Sequence, residues 1–366
     1  MAADGVLPRS WWDKTTYGAR EYGTAALAQL FSVAAFSFAK SPFAVEDCLR
    51  VSGLASHDNR KVLDYFAGSG TTGHAVINLN REDGGERKFI LVEQGEYFDT
   101  VLLPRLRKVT FTPEWKDGKP KRFATPEEAE RSPRIIKVVR LESYEDALNN
   151  LAPRRTQEQQ GLLDLPQAQG TDKLKEQYLL RYMLDVETIG SQSLLNVAAF
   201  ADPTAYRLKV KRPGSDESRE VNVDLPETFN WLIGLTVQHL AAPQAFTAAF
   251  ERDREGRLRL NGRLKQEASG RWWFRTVTGT TPDGRKTLVI WRKRPGDESP
   301  EGIEQDNLVL DEWVTKQGYS SKDSEFNLIY VNGDNNLENL KAPDDTWKVR
   351  LIEDDFFRLM FETEGA

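Results

Sequence analysis

Residues 62–77 read VLDYFAGSGTTGHAVI, and this stretch decides what the first third of the chain is. Its centre, Gly68-Ser69-Gly70-Thr71-Thr72-Gly73, spells G-x-G-x-x-G, the pattern of a strand–turn–helix that receives a dinucleotide. Upstream, KVLDYF (61–66) is an apolar run suited to a buried strand. Downstream, TTGHAVINLNRE (71–82) suits the helix after the turn, and RKFILVE (87–93) suits a second buried strand. Strand, helix and strand within about thirty residues predict a β-α-β unit and a parallel sheet. Asp64 stands four residues before the first glycine, where that strand ends.

The carboxylate discriminates among three ligands. A mononucleotide P-loop needs Gly-Lys-Ser/Thr at its end, but Gly73 is followed by His74-Ala75, so the phosphate-reaching lysine is absent. A dinucleotide would place its pyrophosphate on the helix N-terminus and its ribose near Glu93, at about the expected spacing. Asp64 would repel that pyrophosphate at short range. S-adenosylmethionine has no phosphate and carries an ammonium and a sulfonium, which an acid attracts. Glycine still lets the backbone approach the nucleoside closely, and Glu93 can accept the ribose hydroxyls. The entrance carboxylate therefore selects the cationic cofactor.

The run from Asp64 to Leu106 resembles the cofactor region of amino-methylating DNA methyltransferases. The likeness is greatest to the β-class, adenine-specific modification subunits of type III restriction-modification systems. Upstream, residues 11–50 resemble the segment that precedes the loop in those proteins, where a Lys-Ser or Lys-Pro pair opens a helix over the methionine end of the cofactor. The resemblance implies a Rossmann-like α/β methyltransferase domain over residues 1–112, present in part. It implies a cofactor pocket made by Lys40, Ser41, Pro42, Asp64, Phe66, Gly68, Ser69, Gly70, Thr71, Thr72 and Glu93. Taken singly these residues have plainer explanations: Thr71 and Thr72 as helix caps, Gly73 as a packing glycine, Lys40 as a surface lysine.

That family holds the flipped-out base with Asp/Asn/Ser-Pro-Pro-Tyr/Phe. Each of the 17 prolines here is isolated, so the chain contains no Pro-Pro; DPTAY (Asp202–Tyr206) is only a look-alike. The expectation is a C-terminal methyltransferase portion with DNA as a partner, no catalytic residue of its own, and an N-terminal half elsewhere that carries the catalytic motif. A restriction/translocase subunit is a further expected partner. The rival reading is a non-catalytic DNA-binding or assembly subunit of a restriction-modification system.

Composition agrees with a soluble chain: 366 residues, 39% hydrophobic, 29% charged, with no eighteen-residue apolar run for a membrane span and no secretory leader pattern. One cysteine, Cys48, gives no disulfide framework and fits a reducing cytoplasm. With three histidines besides, a zinc site is not expected, and Asp311 and Asp334 are read as helix-surface and turn residues.

Helices are expected near 24–31, over 41–53 and over 97–109 with Pro104 interrupting. Residues 113–175 read as a polar connector around a short ordered segment, 134–151. Residues 176–366 are expected to form an α+β domain that starts with a helix near 176–188. It would hold a hairpin (206–224), a helix over 226–240, strands at 256–265, 271–279 and 286–292, a helix over 306–318 and a strand over 326–333. Residues 251–300 carry thirteen Lys/Arg against seven Asp/Glu, a local +6 in a chain of net −6. Arg257, Arg259, Arg271, Trp273 and Arg275 interleave charge and aromatics there. They read either as a nucleic-acid contact or as a solvated hairpin with alternate residues turned to the core.

Overall fold

The computed structural model of the chain describes residues 12–33, 35–54, 60–133, 135–165, 186–212, 215, 217–297, 299–322, 325–342 and 345–361. The chain divides into two units, Met1–Arg140 and Leu141–Ala366.

In the first unit α1 (Ala25–Phe31) and α2 (Pro42–Leu49) precede β1 (Lys61–Asp64), α3 (Thr71–Asp83) and β2 (Lys88–Leu91). The strands pair in parallel with Leu63 opposite Ile90 and Asp64 opposite Leu91, so the β-α-β unit forms around the glycine turn. Val62 packs with Ala75, Val76 and Leu79 of α3 and Leu49 of α2. Gly73 sits where α3 meets the sheet: a Cβ there would stand 2.7 Å from Leu106 and 2.9 Å from Leu91. The expectation of fully buried strands is corrected. Leu63 is 61% exposed and Ile90 43%, because the helices packed on this sheet lie on the Val62 side and the described sheet has only two strands. Parallel sheets are normally covered on both faces.

A π-helical turn at Phe98–Leu102 leads into α4 (Leu103–Phe111). Pro104 therefore lies in the first turn of a helix, where its missing N–H costs nothing, rather than interrupting one. Residues 113–133 are more ordered than their polarity implied. The pair β3 (Trp115–Lys116) and β4 (Lys119–Pro120) turns at Asp117-Gly118, a sequence signal for a hairpin. Trp115 packs on the core made by Leu27, Leu30, Leu102 and Leu106. Helix α5 (Pro126–Glu130) has a complete capping box, Thr125 with Glu128, and Arg81 of α3 donates to Ser132 Oγ at 2.9 Å.

In the second unit, α6 (Tyr144–Asn149) and α7 (Gln157–Leu163) come first; most of the helix expected at 176–188 lies outside the described residues. Strands β5 (Arg207–Lys211) and β6 (Ser218–Asn222) form the expected antiparallel hairpin. Helix α8 (Leu225–Leu232) ends earlier than expected, and Thr236–Leu240 is a strand, β7. Gly234, at φ +63, ends the helical path, and the β-branched Thr236-Val237 that follow suit a strand, pairing with Thr280 and Gly279. Next come β8 (Gln244–Thr247), the pair β9 (Phe250–Arg252) and β10 (Leu258–Leu260), and β11 (Lys265–Gln266).

Strands β12 (Trp272–Thr280) and β13 (Lys286–Arg292), helix α9 (Pro300–Gln317), strands β14 (Leu328–Val331) and β15 (Val349–Leu351), and α10 (Ile352–Phe361) complete the unit. The main sheet runs β11-β8-β12-β13-β14-β15, with β7 also on β12. It is antiparallel through β12 and β13, then parallel from β13 to β14 across α9 and on to β15. One face packs Phe274, Leu288 and Ile290 under α9 with Val309, Leu310 and Trp313. The other packs Val277, Val289 and Trp291 with Phe200, Phe229 and Phe356. Residues 288–291, Leu-Val-Ile-Trp, are consequently apolar without alternation. Among the described residues no helix is long and apolar enough to cross a membrane.

Candidate functional site

The glycine loop, Gly68–Gly70, connects β1 to α3 between two carboxylates. Asp64, at the end of β1, accepts from the Phe66 N–H on Oδ1 (3.2 Å) and from the Thr72 hydroxyl on Oδ2. Glu93, just beyond β2, accepts from Gly68 N–H at 2.8 Å on one oxygen and from Gln94 and Gly95 N–H at 2.9 and 2.8 Å on the other. Burial pushes the Glu93 carboxyl up, but the N–H groups of Gly95, Gly68 and Gln94 and the Tyr97 hydroxyl outweigh it and leave the group below its ordinary range. Glu93 is thus a stable anion that already braces the loop. To receive two ribose hydroxyls it must exchange some of these hydrogen bonds, because a carboxylate has about four acceptor positions.

Gly68, at φ +55, faces open space: a Cβ there would meet only the Phe36 ring, at 3.8 Å. Phe66 beside it is 77% exposed, available to a planar ring. The Lys40 segment also reaches the loop, since the Thr71 hydroxyl donates to the Lys40 carbonyl at 3.4 Å. Lys40 itself is exposed. Ser41 is buried with its hydroxyl donating to the Thr16 carbonyl at 2.6 Å, and Pro42 is buried in the first turn of α2. Those two residues place the Lys40 backbone, with their own side chains engaged elsewhere.

A residue that the motif reading missed holds the loop from beneath. Arg105 of α4 is 1% exposed and donates to Ser69 Oγ (2.8 Å), Thr71 Oγ1 (2.9 Å) and His74 Nδ1 (3.2 Å). Burial brings its pKa down to about 10, which still leaves it charged at neutral pH. No sequence pattern tied Arg105 to the loop; it is one arginine of a polar, helix-like PRLRK stretch.

Desolvation, with Arg105 and Arg81 nearby, pushes His74 well below 6.5. With its Nδ1 accepting from Arg105, the neutral ring carries its proton on Nε2. The unfolded chain takes up a proton below about pH 6.5 while the folded chain does not, so stability is lost as pH falls from that point. The unfolding free energy from urea titrations is expected to drop by about 1 kcal/mol in total between about pH 7.5 and 5.5. The drop should shrink in His74→Gln; an unchanged drop would place the pH sensitivity elsewhere.

The basic residues of 251–300 are not brought together as one stripe. Arg257, in the turn between β9 and β10, and Arg259, on β10, are bound to Asp253 at 3.2 and 2.7 Å. Trp273 and Arg275 share one face of β12, which Arg271 immediately precedes, while Trp272 turns to the core and donates to Asp306 at 2.8 Å. The alternation follows the hairpin expectation, with one tryptophan in the core and the other half-buried. The DPTAY look-alike is structural. Asp202 pairs with Lys293 at 2.5 Å, and the buried Tyr206 donates its hydroxyl to the Gln192 carbonyl. Among the described residues no cluster of three metal-ligating side chains exists.

Comparison with known proteins agrees with the first unit's geometry. Residues 4–102 match the model of a family described as DNA methylase. Over 87 residues the chain is 39% identical to the type III restriction-modification enzyme StyLTI Mod subunit of Salmonella typhimurium. It is 36% identical over 88 residues to the type II methyltransferase M.KpnI of Klebsiella pneumoniae, and 35% over 89 residues to the EcoPI Mod subunit of Escherichia phage P1. Each match covers 24% of this chain; it spans 13% of either Mod subunit and 20% of M.KpnI. Over that quarter of its length the chain is DNA-methyltransferase-like.

Proposed function

We propose that the first unit is the cofactor-binding portion of a Rossmann-like, adenine-N6 DNA methyltransferase, holding S-adenosylmethionine on Gly68–Thr72. The observation that carries this is the charge of the cradle. Its rim bears Asp64 and Glu93, while the guanidinium that does touch the loop, Arg105, is buried beneath it. Such a cradle accepts a cation with a diol and rejects a pyrophosphate. Lys40, Phe66 and the Gly68 opening would border the nucleoside and methionine ends. When bound, the cofactor supplies an electrophilic methyl group. The protein's part is to fix its orientation for in-line attack by an amino nitrogen.

The reading extends to partners. The bare face of β1 and β2, with Leu63, Tyr65, Ile90 and Val92 exposed, and the two-stranded extent of their sheet support a methyltransferase half that extends the sheet at its edge, covers this face and carries the base-holding Pro-Pro motif. DNA, and a restriction/translocase subunit as in type III systems, would complete the assembly.

Titration calorimetry tests the cofactor. S-adenosylmethionine and S-adenosylhomocysteine should bind and NAD should not. Asp64→Asn, which keeps an acceptor but removes the charge, should weaken S-adenosylmethionine roughly tenfold, the effect of one charge-assisted hydrogen bond. Binding of NAD, or no cofactor binding by a folded sample, would falsify this assignment.

A further inference from the structure

The second unit has a concavity of about 420 Å³ lined in part by Trp273. Three small residues make the space: Ala245, directly opposite Trp273 on β8, Ala268 and Gly270. Gly270 cannot be larger, since a Cβ would lie 2.4 Å from the backbone of Phe246. Trp273 packs on the Phe200–Trp291 core and also lines the opening. Two cations border the same hollow, Arg271 and Lys293, and Arg275, outside its lining, follows Trp273 along the same face of β12. Arg271 is held by the Pro295 carbonyl at 3.2 Å and Arg275 by the Ala241 carbonyl at 3.3 Å. Neither makes an ion pair among the described residues, whereas Lys293 is paired with Asp202. The three cations and that one acid leave a local charge of +2.

We propose that this hollow binds one nucleotide of an unpaired DNA strand, its base stacked on Trp273 and its phosphates held by Arg271 and Arg275. The proposal rests on the DNA-acting reading above and names the state of the DNA: an indole beside small residues receives a single planar ring, and a base reaches it only when splayed out of a duplex. Carbonyl-anchored guanidiniums are positioned for phosphate without a carboxylate to displace. Because phosphates and a π-face are common to every nucleotide, the site is sequence-tolerant. Binding of a strand here would accompany base extrusion, in which the duplex is locally opened.

The test uses the full chain and a short fluorescein-labelled oligothymidylate, with a duplex of the same length and heparin as competitors, at several salt concentrations. The single strand should bind more tightly than the duplex and should quench tryptophan fluorescence. Trp273→Ala should weaken it about tenfold, the effect of removing one stacked ring, while Trp273→Phe should retain most of the affinity. Arg271→Gln with Arg275→Gln should lower the single-strand log–log salt slope by about 0.7 for each phosphate that is no longer neutralised. Should Trp273→Ala not fold, the arginine pair and Trp273→Phe carry the test. Equal affinity for single strand, duplex and heparin, or unchanged single-strand binding in the folded variants, would overturn the proposal. Cofactor calorimetry on the same preparation separates the two readings. Cofactor bound without the oligonucleotide removes only the hollow; the oligonucleotide bound through Trp273 without cofactor removes the methyltransferase reading and leaves the hollow.

Discussion

Mixed with duplex DNA and tritiated S-adenosylmethionine, the purified chain is expected to incorporate no methyl above a protein-free control. An exocyclic amino group is a weak nucleophile, and the enzymes this unit resembles hold it between an acid or amide and a proline carbonyl while an aromatic ring stacks on the base. The 366 residues contain no Pro-Pro, and the nearest look-alike is spent on a salt bridge to Lys293 and a buried tyrosine. Without those groups the amino nitrogen is not presented to the methyl group, and positioning of that kind is worth about 7–11 kcal/mol of barrier. The expected deficit is thus many orders of magnitude. Addition of a polypeptide carrying the matching N-terminal half should restore incorporation and cover the Leu63–Ile90 face, which hydrogen exchange at β1 and β2 would register. Incorporation by the chain alone would mean that an unrecognised catalytic group is present. If no such half restores activity while DNA and a restriction subunit bind, the non-catalytic assembly reading takes over.

The glycine turn, both flanking strands and the helix after them were legible because each is a local matter: an apolar run, a turn glycine, a helix-length segment after it. The degree of burial was not. Leu63 and Ile90 read as core by composition, yet their exposure depends on what lies beside the sheet, which a run of four residues does not encode. Polarity misled at 113–133, where the Asp117-Gly118 turn and the Thr125–Glu128 capping box were the better signals. In the second unit the alternation along β12 was legible, and it separated Trp272 from Trp273. It could not show that Asp253 lies where it binds both Arg257 and Arg259. For the candidate cofactor site, the motif pointed to the residues on the loop and its rim but not to Arg105, 36 positions from Ser69. A buried strut has no spacing signature.

Arg105→Met is therefore the substitution expected to harm the first unit most. The thioether fills part of the volume of the arginine stem but donates nothing, so Ser69 Oγ, Thr71 Oγ1 and His74 Nδ1 lose their shared donor beneath the loop. A buried polar group left without a partner costs about 1–3 kcal/mol. Hydroxyls can partly re-pair, as Ser69 and Thr71 do already at 3.3 Å, so the net loss should be about 2–4 kcal/mol, a large share of a typical total of roughly 5–15. Arg105→Lys keeps the charge but not the fork that spans loop and helix, and should recover only part of it. If Arg105 only fills space, cofactor affinity in the folded fraction should be unaffected; if it shapes the loop, affinity should fall as well, with the urea m-value unchanged. Ser69→Ala combined with Arg105→Met should be less than additive, since both remove one network. Arg292 provides the control. It is equally buried, donates to Asn307 and to the Asn332 and Asp334 carbonyls in the second unit, and also has its pKa brought down to about 10 by burial. Arg292→Met should destabilise the second unit by a similar amount and leave cofactor binding intact. Equal loss of cofactor affinity in both variants would trace the effect to general instability rather than to the support Arg105 gives the glycine loop.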